Sequence, residues 1–499
     1  MNAAKKIGLI IGFIAAFIIY FFTNLDPSNP QITTMAAIAA LMAIWWITDA
    51  IPLAVTSLVP LILYPFFGLM KADAIASSYI NSIIFLFLGG FMIAIAMEKW
   101  GLHKRIALKI IIFFGGSPNS IIIGFMTASA FLSMWISNTA TAIMMLPIAM
   151  AIISKLEDEF GDEKTYKFTL AILLGVAYSC SLGGMATLVG TPPNLVFVKT
   201  LNIIFPNAPE VSFGSWMLFA LPITFLLLIF TAFMLTKVFY RVDKEIFLDK
   251  KFIKDEYHKL GPMSMEERAV SIIFAMTALL WIFRTDLNVG ILKIPGWSDL
   301  FNNSSFINDG TVAITMATIL FFIPSKKTKS MLLSAEVFNK IPWGIVLLFG
   351  GGFALAKGFA STGLSTYIGT QLAGLSSFPH LLMVLIISIA VVLLTELTSN
   401  TATTQMILPI MASLSVAMKL NPMLLMIIST LSASMAFMLP VATPPNTIIF
   451  ATGKIKIYQM LKTGIAIDFV GVIILILMMY LLGNAIFDFN TFPAWAIIN

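Results

Sequence analysis

Apolar runs long enough to cross a bilayer as helix recur along the whole of this 499-residue sequence. About 18 residues suffice for one span, and several runs exceed that, the first being Ile7 to Phe22 with its flanks. Hydrophobic residues make up 59% of the chain and charged residues 11%, far from the roughly half and a quarter of soluble domains. Lipid is therefore the expected solvent, and a soluble enzyme on a membrane anchor is excluded. The net charge of +6 would suggest nucleic acid in a soluble protein. Here the bases lie in short connections between apolar runs, which reads as cytoplasmic loop charge and predicts no nucleic-acid partner. Cys180 is the only cysteine, so intrachain disulfides and thiolate metal clusters are excluded.

The positive-inside rule orients the runs. The base-rich segment from Lys237 to Arg268, Lys326-Lys327-Thr328-Lys329, and Lys99 to Lys109 are assigned to the cytoplasm. Thr285 to Asp309, with three Asp, one Lys and Trp297 at an expected interface, is assigned outside. Lys5 and Lys6 precede a first helix without a cleavage site, so an uncleaved helix with a cytoplasmic amino terminus is expected. These placements predict an all-α polytopic protein of the plasma (inner) membrane, with about eleven transmembrane helices and the carboxyl terminus outside.

An internal repeat constrains the fold further. Phe87-Leu88-Gly89-Gly90-Phe91 aligns with Phe349-Gly350-Gly351-Gly352-Phe353 at a separation of 349 − 87 = 262. At the same separation Ser133 meets Thr395, Ser137-Asn138-Thr139-Ala140-Thr141 meets Ser399-Asn400-Thr401-Ala402-Thr403, and Leu146-Pro147 meets Leu408-Pro409. Gly190-Thr191-Pro192-Pro193-Asn194 then matches Ala442-Thr443-Pro444-Pro445-Asn446 at 252, the difference fitting the polar insert Lys155 to Lys167. Identical polar strings in register with glycine and proline matches indicate duplication. The segment before the first Ser-Asn-Thr carries Lys99, His103, Lys104 and Arg105, whereas its counterpart carries Ser365, Thr366 and Gln371. The two copies are thus expected to enter from opposite sides, as inverted-topology repeats. The expected layout is a first helix and outer loop (1–31), repeat 1 (32–240) with a re-entrant hairpin near 119–155, and a cytoplasmic loop (241–268). Repeat 2 (269–485) follows, with a hairpin near 381–418, and then an outward tail (486–499).

Each Ser-Asn-Thr lies in an apolar stretch too long for one span that ends near the side it entered, which fits a helical hairpin whose tip lines a cavity. Ser, Asn and Thr cap helices and supply donors and acceptors where backbone is freed. The paired prolines stop a helix in mid-span, freeing carbonyls at Gly190 and Ala442. Sodium seeks several oxygens, and hydroxyls at Ser133, Ser137 and Thr395, the amide oxygens of Asn138 and Asn400, and these carbonyls supply them. The four-residue steps from Ser133 to Ser137 and from Thr395 to Ser399 are expected to place both hydroxyls on one helical face. Hydroxyls, N–H groups and helix starts equally suit a carboxylate or sulfate. No arginine lies near either tip in sequence, so bound sodium is expected to offset the anion's charge.

Glu396 is the ionisable group nearest a tip; because the first repeat has Met134 there, a bond to backbone or a helix neighbour is expected rather than proton coupling. Asp49, Glu98 and Lys357 sit near span ends, where snorkelling or mutual pairing is expected. His103, His258 and His380 are scattered, mostly in loops, and form no ligand set. No P-loop, His-Glu-x-x-His or Gly-x-Ser-x-Gly is present, so ATP drive and hydrolysis lack their parts and no enzyme is expected.

Trp45-Trp46-Ile47-Thr48-Asp49-Ala50-Ile51-Pro52, both Ser-Asn-Thr strings and both Thr-Pro-Pro-Asn segments resemble the divalent anion/sodium symporters over nearly the whole chain. The resemblance implies a homodimer with a scaffold and a mobile transport domain working as an elevator. It implies one sodium site at Ser133, Ser137, Asn138 and Gly190, and another at Thr395, Asn400 and Ala442 with Thr398. Substrate carboxylates would meet Ser137, Asn138, Thr139, Ser399, Asn400 and Thr401, with Thr191, Thr443 and Pro444 nearby. The intact strings resemble the sodium-coupled dicarboxylate branch, for succinate, malate or fumarate; an exchanger, or a citrate or sulfate carrier, are the alternatives.

Overall fold

The computed structural model describes residues 3–242, 246, 250–289 and 292–497. The extreme amino terminus, part of the 241–268 loop and the last two residues of the tail lie outside them. Helices α1 (Ala3–Phe22) and α2 (Pro30–Thr48) form an antiparallel pair, followed by the broken stretch α3 (Leu53–Thr56), α4 (Val59–Phe66) and α5 (Ala72–Tyr79). Then come α6 (Ser82–Lys99), α7 (Leu102–Phe114), the hairpin α8 (Pro118–Ser133) and α9 (Asn138–Phe160), and the interrupted pair α10 (Asp162–Met185) and α11 (Pro192–Ile204). Helix α12 (Phe213–Phe233) leads through α13 (Lys250–Lys259) to α14 (Met265–Ile282) and α15 (Asp309–Ile319). The second half continues with α16 (Val337–Lys340), α17 (Trp343–Thr362), α18 (Leu364–Leu372), and the hairpin α19 (His380–Thr395) and α20 (Asn400–Ala417). It closes with the interrupted pair α21 (Pro422–Ala433) and α22 (Pro444–Phe450), and α23 (Ile457–Phe487).

Among the described residues, eight helical runs are long and apolar enough to cross a membrane. Among the described residues the expected all-α chain also carries an antiparallel ribbon of β1 (Leu287–Val289) and β2 (Leu292–Ile294) in the 285–309 connection, and an isolated bridge between Pro324 and Met331. That connection is tied down by Arg284, which is buried and ion-paired with Asp309 (2.6 Å) and Glu210, and donates to Ile307 O (3.0 Å).

Glycines set the closest helix approaches. A Cβ on Gly89 would lie 2.5 Å from the Ala313 carbonyl carbon, and one on Gly351, its match at 262, 2.5 Å from Ser57 Cβ. The repeated glycines therefore let α6 pack on α15 and α17 on α3. Phe87 and its match Phe349 meet edge to face with centroids 5.3 Å apart.

Helix α23 fixes the direction of both hairpins. Near the base of the first, Glu157 pairs with Lys454 (2.7 Å), just before α23 begins. At the base of the second, Asn421 donates to Asp488 O (3.0 Å), just after α23 ends. The two bases thus lie at opposite ends of one 31-residue helix, which at 1.5 Å per residue is about 45 Å long.

Candidate functional site

The first hairpin turns at Met134–Ile136, between Ser133, the last residue of α8, and Ser137, which caps α9 by accepting from Ala140 N–H (3.2 Å). Ser133 Oγ lies 2.6 Å from Asn138 Oδ1 and 2.7 Å from Cys180 O. One hydroxyl proton serves one acceptor at a time, so this cluster holds more acceptors than donors. Carbonyls add to the surplus: a Cβ on Gly190 would lie 2.6 Å from Gly184 O and 3.0 Å from Ser133 O, and one on Gly184 2.6 Å from Asn138 Oδ1 and 3.1 Å from Gly190 O.

The second tip repeats the pattern. Thr395 Oγ1 is 2.7 Å from Asn400 Oδ1 and 2.8 Å from Ala433 O. The breaks after α10 and α21 are also alike. Asn194 Nδ2 donates to the carbonyls of Gly184, Met185 and Thr187, and Asn446 Nδ2 to those of Ala436 and Leu439. Each asparagine side chain thereby holds an unwound strand closed. Thr191 and Thr443, both buried, stand at the starts of α11 and α22, where Pro192 and Pro444 occupy the first helical positions.

The half-helices cross over. Helix α11 packs on α20 of the other half, and α22 on α9. Helices α9 and α20 start at the tips, where first-turn N–H groups lack helical partners, whereas α11 starts at the first break with Pro192-Pro193 and contributes a positive dipole end without free N–H groups; such ends suit an anion.

Tip and break are stitched differently in the two halves. In the first, Thr187 Oγ1 donates to Met134 O and accepts from Gly190 N–H (3.1 Å). In the second, the Glu396 carboxylate, at the position of Met134, accepts from Met438 N–H (2.7 Å) and Leu439 N–H (2.8 Å). The expected bonding of Glu396 to backbone is found.

Several sequence readings need correction. Ser133 and Ser137, like Thr395 and Ser399, do not share a helical face, because the helix ends between them and the second member has extended backbone. Thr398, by contrast, lies in the turn of the second tip, where its Oγ1 bonds Leu394 O (2.9 Å) and Thr403 Oγ1. His103 and Arg105 are buried on α7, not loop residues: His103 Nδ1 meets Met97 O (3.0 Å) and Arg105 pairs with Glu267 (3.1 Å). Asp49 pairs with Lys5, and Lys357 donates to Ala74 O (2.7 Å), partners other than the mutual pair that the sequence allowed. The sequence reading passed over Lys199 on α11, half-buried and close enough to Lys357 to repel it. It also passed over Asp468, an acid within the apolar α23.

Trp135, Ser137, Gly190 and Pro192 face Phe87, Phe91 and Ile345 across a gap of about 30 Å³. A larger cavity, about 820 Å³, runs along α9 past Ile143 and Pro147 to a mixed-charge mouth of Lys99, Lys104 and Lys259 with Glu98, Glu256 and Glu267.

A helical bundle with two hairpin tips, two broken helices and acceptor-rich pockets at its centre has the architecture of a secondary transporter. The chain belongs to the divalent anion/sodium symporter family: residues 3–488 match the family described as the sodium:sulfate symporter transmembrane region. It is 40% identical over 491 residues to the sodium-dependent dicarboxylate transporter SdcS of Staphylococcus saprophyticus, covering 96% of this chain and 92% of that protein. To SdcS of Staphylococcus aureus it is 42% identical over 486 residues, covering 96% and 91%. In fold alone it resembles two solved transporters. Neisseria gonorrhoeae MtrF superposes with a TM-score of 0.55 at 13% identity, covering 96% of this chain and 94% of that one. Alcanivorax borkumensis YdaH gives 0.55 at 12%, covering 84% and 90%.

Proposed function

We propose that this chain carries a C4 dicarboxylate such as succinate, malate or fumarate into the cell together with sodium. The observation that carries the reading is the acceptor surplus at both tips, where Ser133 with Asn138 and Thr395 with Asn400 are arranged alike. A cation resolves such a surplus, and unwound carbonyls beside it are what sodium sites in transporters use. In this reading Ser133, Asn138, Gly190 and Ser137 hold one sodium, and Thr395, Asn400, Ala442 and Thr398 a second. The substrate lies between the tips, its carboxylates on Ser137, Asn138, Thr139, Ser399, Asn400 and Thr401, with Thr191, Thr443 and Pro444 alongside. Sodium on either side then offsets charge that no arginine at the tips neutralises.

The halves are read as duplicated, inverted repeats of a membrane bundle with about eleven spans, the amino terminus cytoplasmic and the carboxyl terminus outside. The opposite bases of the hairpins along α23 support that reading. The hairpins, broken helices and α23 form the moving unit of an elevator; the glycine-packed α6, α15, α17 and α3 belong to the fixed scaffold of a homodimer. In this orientation the mixed-charge cavity beside α9 opens to the cytoplasm and serves as the exit. Labelled succinate uptake into proteoliposomes tests this: an inward sodium gradient should drive accumulation. Uptake indifferent to sodium, or dependent only on internal counter-substrate, would replace symport by exchange.

A further inference from the structure

Two carboxylates in the apolar interior are not part of either tip cluster. Glu396 follows Thr395 at the end of α19, and Asp468 stands within α23; they are 3% and 2% exposed. Helix α23 lies unusually close to the unwound segment after α21: a Cβ on Gly464 would be 2.3 Å from Phe437 O, and one on Gly471 2.5 Å from Met435 Cε. Asp468 is four residues after Gly464 and three before Gly471, so it shares their helical face and points at the same segment.

Glu396 spends its two oxygens on Met438 N–H and Leu439 N–H. The Asp468 carboxylate approaches Glu396 and the Phe437 N–H, yet neither of its oxygens closes a hydrogen bond among the described residues. Two ionised carboxylates are acceptors only, so neither satisfies the other. Among the described residues no lysine, arginine or histidine forms an ion pair with either. The neighbouring titratable side chain is Tyr178 of α10, itself fully buried. Buried charges are ordinarily paired or bound to a metal, and an unpaired acid at membrane depth is where an ion is expected.

We propose that Asp468 and Glu396, with the Phe437 carbonyl of the unwound segment 434–439, hold a further sodium ion, separate from those at the hairpin tips. The surrounding backbone favours sodium over a shared proton: segment 434–439 is not helical, and although Asn446 engages the carbonyls of Ala436 and Leu439, that of Phe437 faces α23 beside Gly464, an oxygen an ion can use and a proton does not need. The ion would act ahead of the substrate. Glu396 adjoins tip residue Thr395 and grips the strand that leads to Ala442 and Thr443, so sodium between Glu396 and Asp468 fastens tip, break and α23 into one body. The inference rests on sodium coupling but not on which tip residues bind ions.

Radioactive sodium binding to the purified full-length protein, without dicarboxylate, tests it. At saturating sodium, Asp468→Asn should bind one ion fewer per chain than the unaltered protein, and the Hill coefficient for sodium in succinate uptake should fall. The asparagine amide can donate to Glu396, which keeps the contact without the ion. Where Asp468→Asn is not recovered folded, Glu396→Gln gives the same comparison. An unchanged ion count in a folded variant overturns the proposal and assigns the pair a shared proton. Absence of sodium binding by the unaltered protein would instead overturn the symport reading itself.

Discussion

Asn138 and Asn400 each place one amide oxygen beside a hydroxyl that already faces a helix carbonyl. In the proposed sodium sites, Asn138→Ala or Asn400→Ala would remove one oxygen from the ion shell and leave the backbone turn in place. A hydrogen bond or ligand to a charge contributes about 1.5–3 kcal/mol, so the sodium concentration for half-maximal uptake should rise roughly 10- to 100-fold. Sodium titration of succinate uptake measures it. Asn194 is an asparagine of another kind: its amide donates to three carbonyls of the break at 2.7–3.3 Å. Asn194→Ala leaves those carbonyls without a donor in a dry interior, costing about 1–3 kcal/mol, and should lower the thermal unfolding midpoint in detergent. The tip asparagines were legible because two identical strings shared one register. Asp468 was not, since nothing in an apolar helix announces a partner 468 − 396 = 72 residues away.

At the scale of elements, the apolar lengths, breaks and hairpins could be read from proline, glycine and polar placement. The expected common face of Ser133 and Ser137 failed for a physical reason. A Ser that caps a helix needs extended backbone, so the step between the two residues could not be helical. The insertion depth of the tips depends on small residues instead. Gly183 of α10 faces α8 so closely that a Cβ would lie 2.2 Å from Ala130 O. Gly183→Ala must push the first hairpin off its supporting helix, an overpacking cost of about 1–3 kcal/mol. It should lower both the thermal midpoint and the maximal uptake rate. Gly344→Ala, whose Cβ would meet only Ala54 Cβ at 3.8 Å, is the matched control and should change neither.

The whole molecule is held together across its halves. Glu157 and Lys454, partly buried at the first hairpin's base, join positions 297 residues apart. Glu157→Lys should destabilise by about 1 kcal/mol, and adding Lys454→Glu should recover most of the loss in the same melting experiment. Loop charge carries an expectation of orientation, but the crossing of the halves was not legible, because packing of α11 on α20 and α22 on α9 leaves no mark in either segment alone. That crossing predicts that fragments 1–242 and 250–499, expressed together, regain succinate uptake that neither has by itself. It also bears on ancestry. Each half packs a half-helix on the other's hairpin, so under the proposed inverted duplication an unduplicated ancestor could have built the same centre only by meeting a copy of itself inserted upside down. Such a chain had to enter the membrane in both orientations with similar ease, and the present asymmetry of basic loops would date from after the two copies were joined.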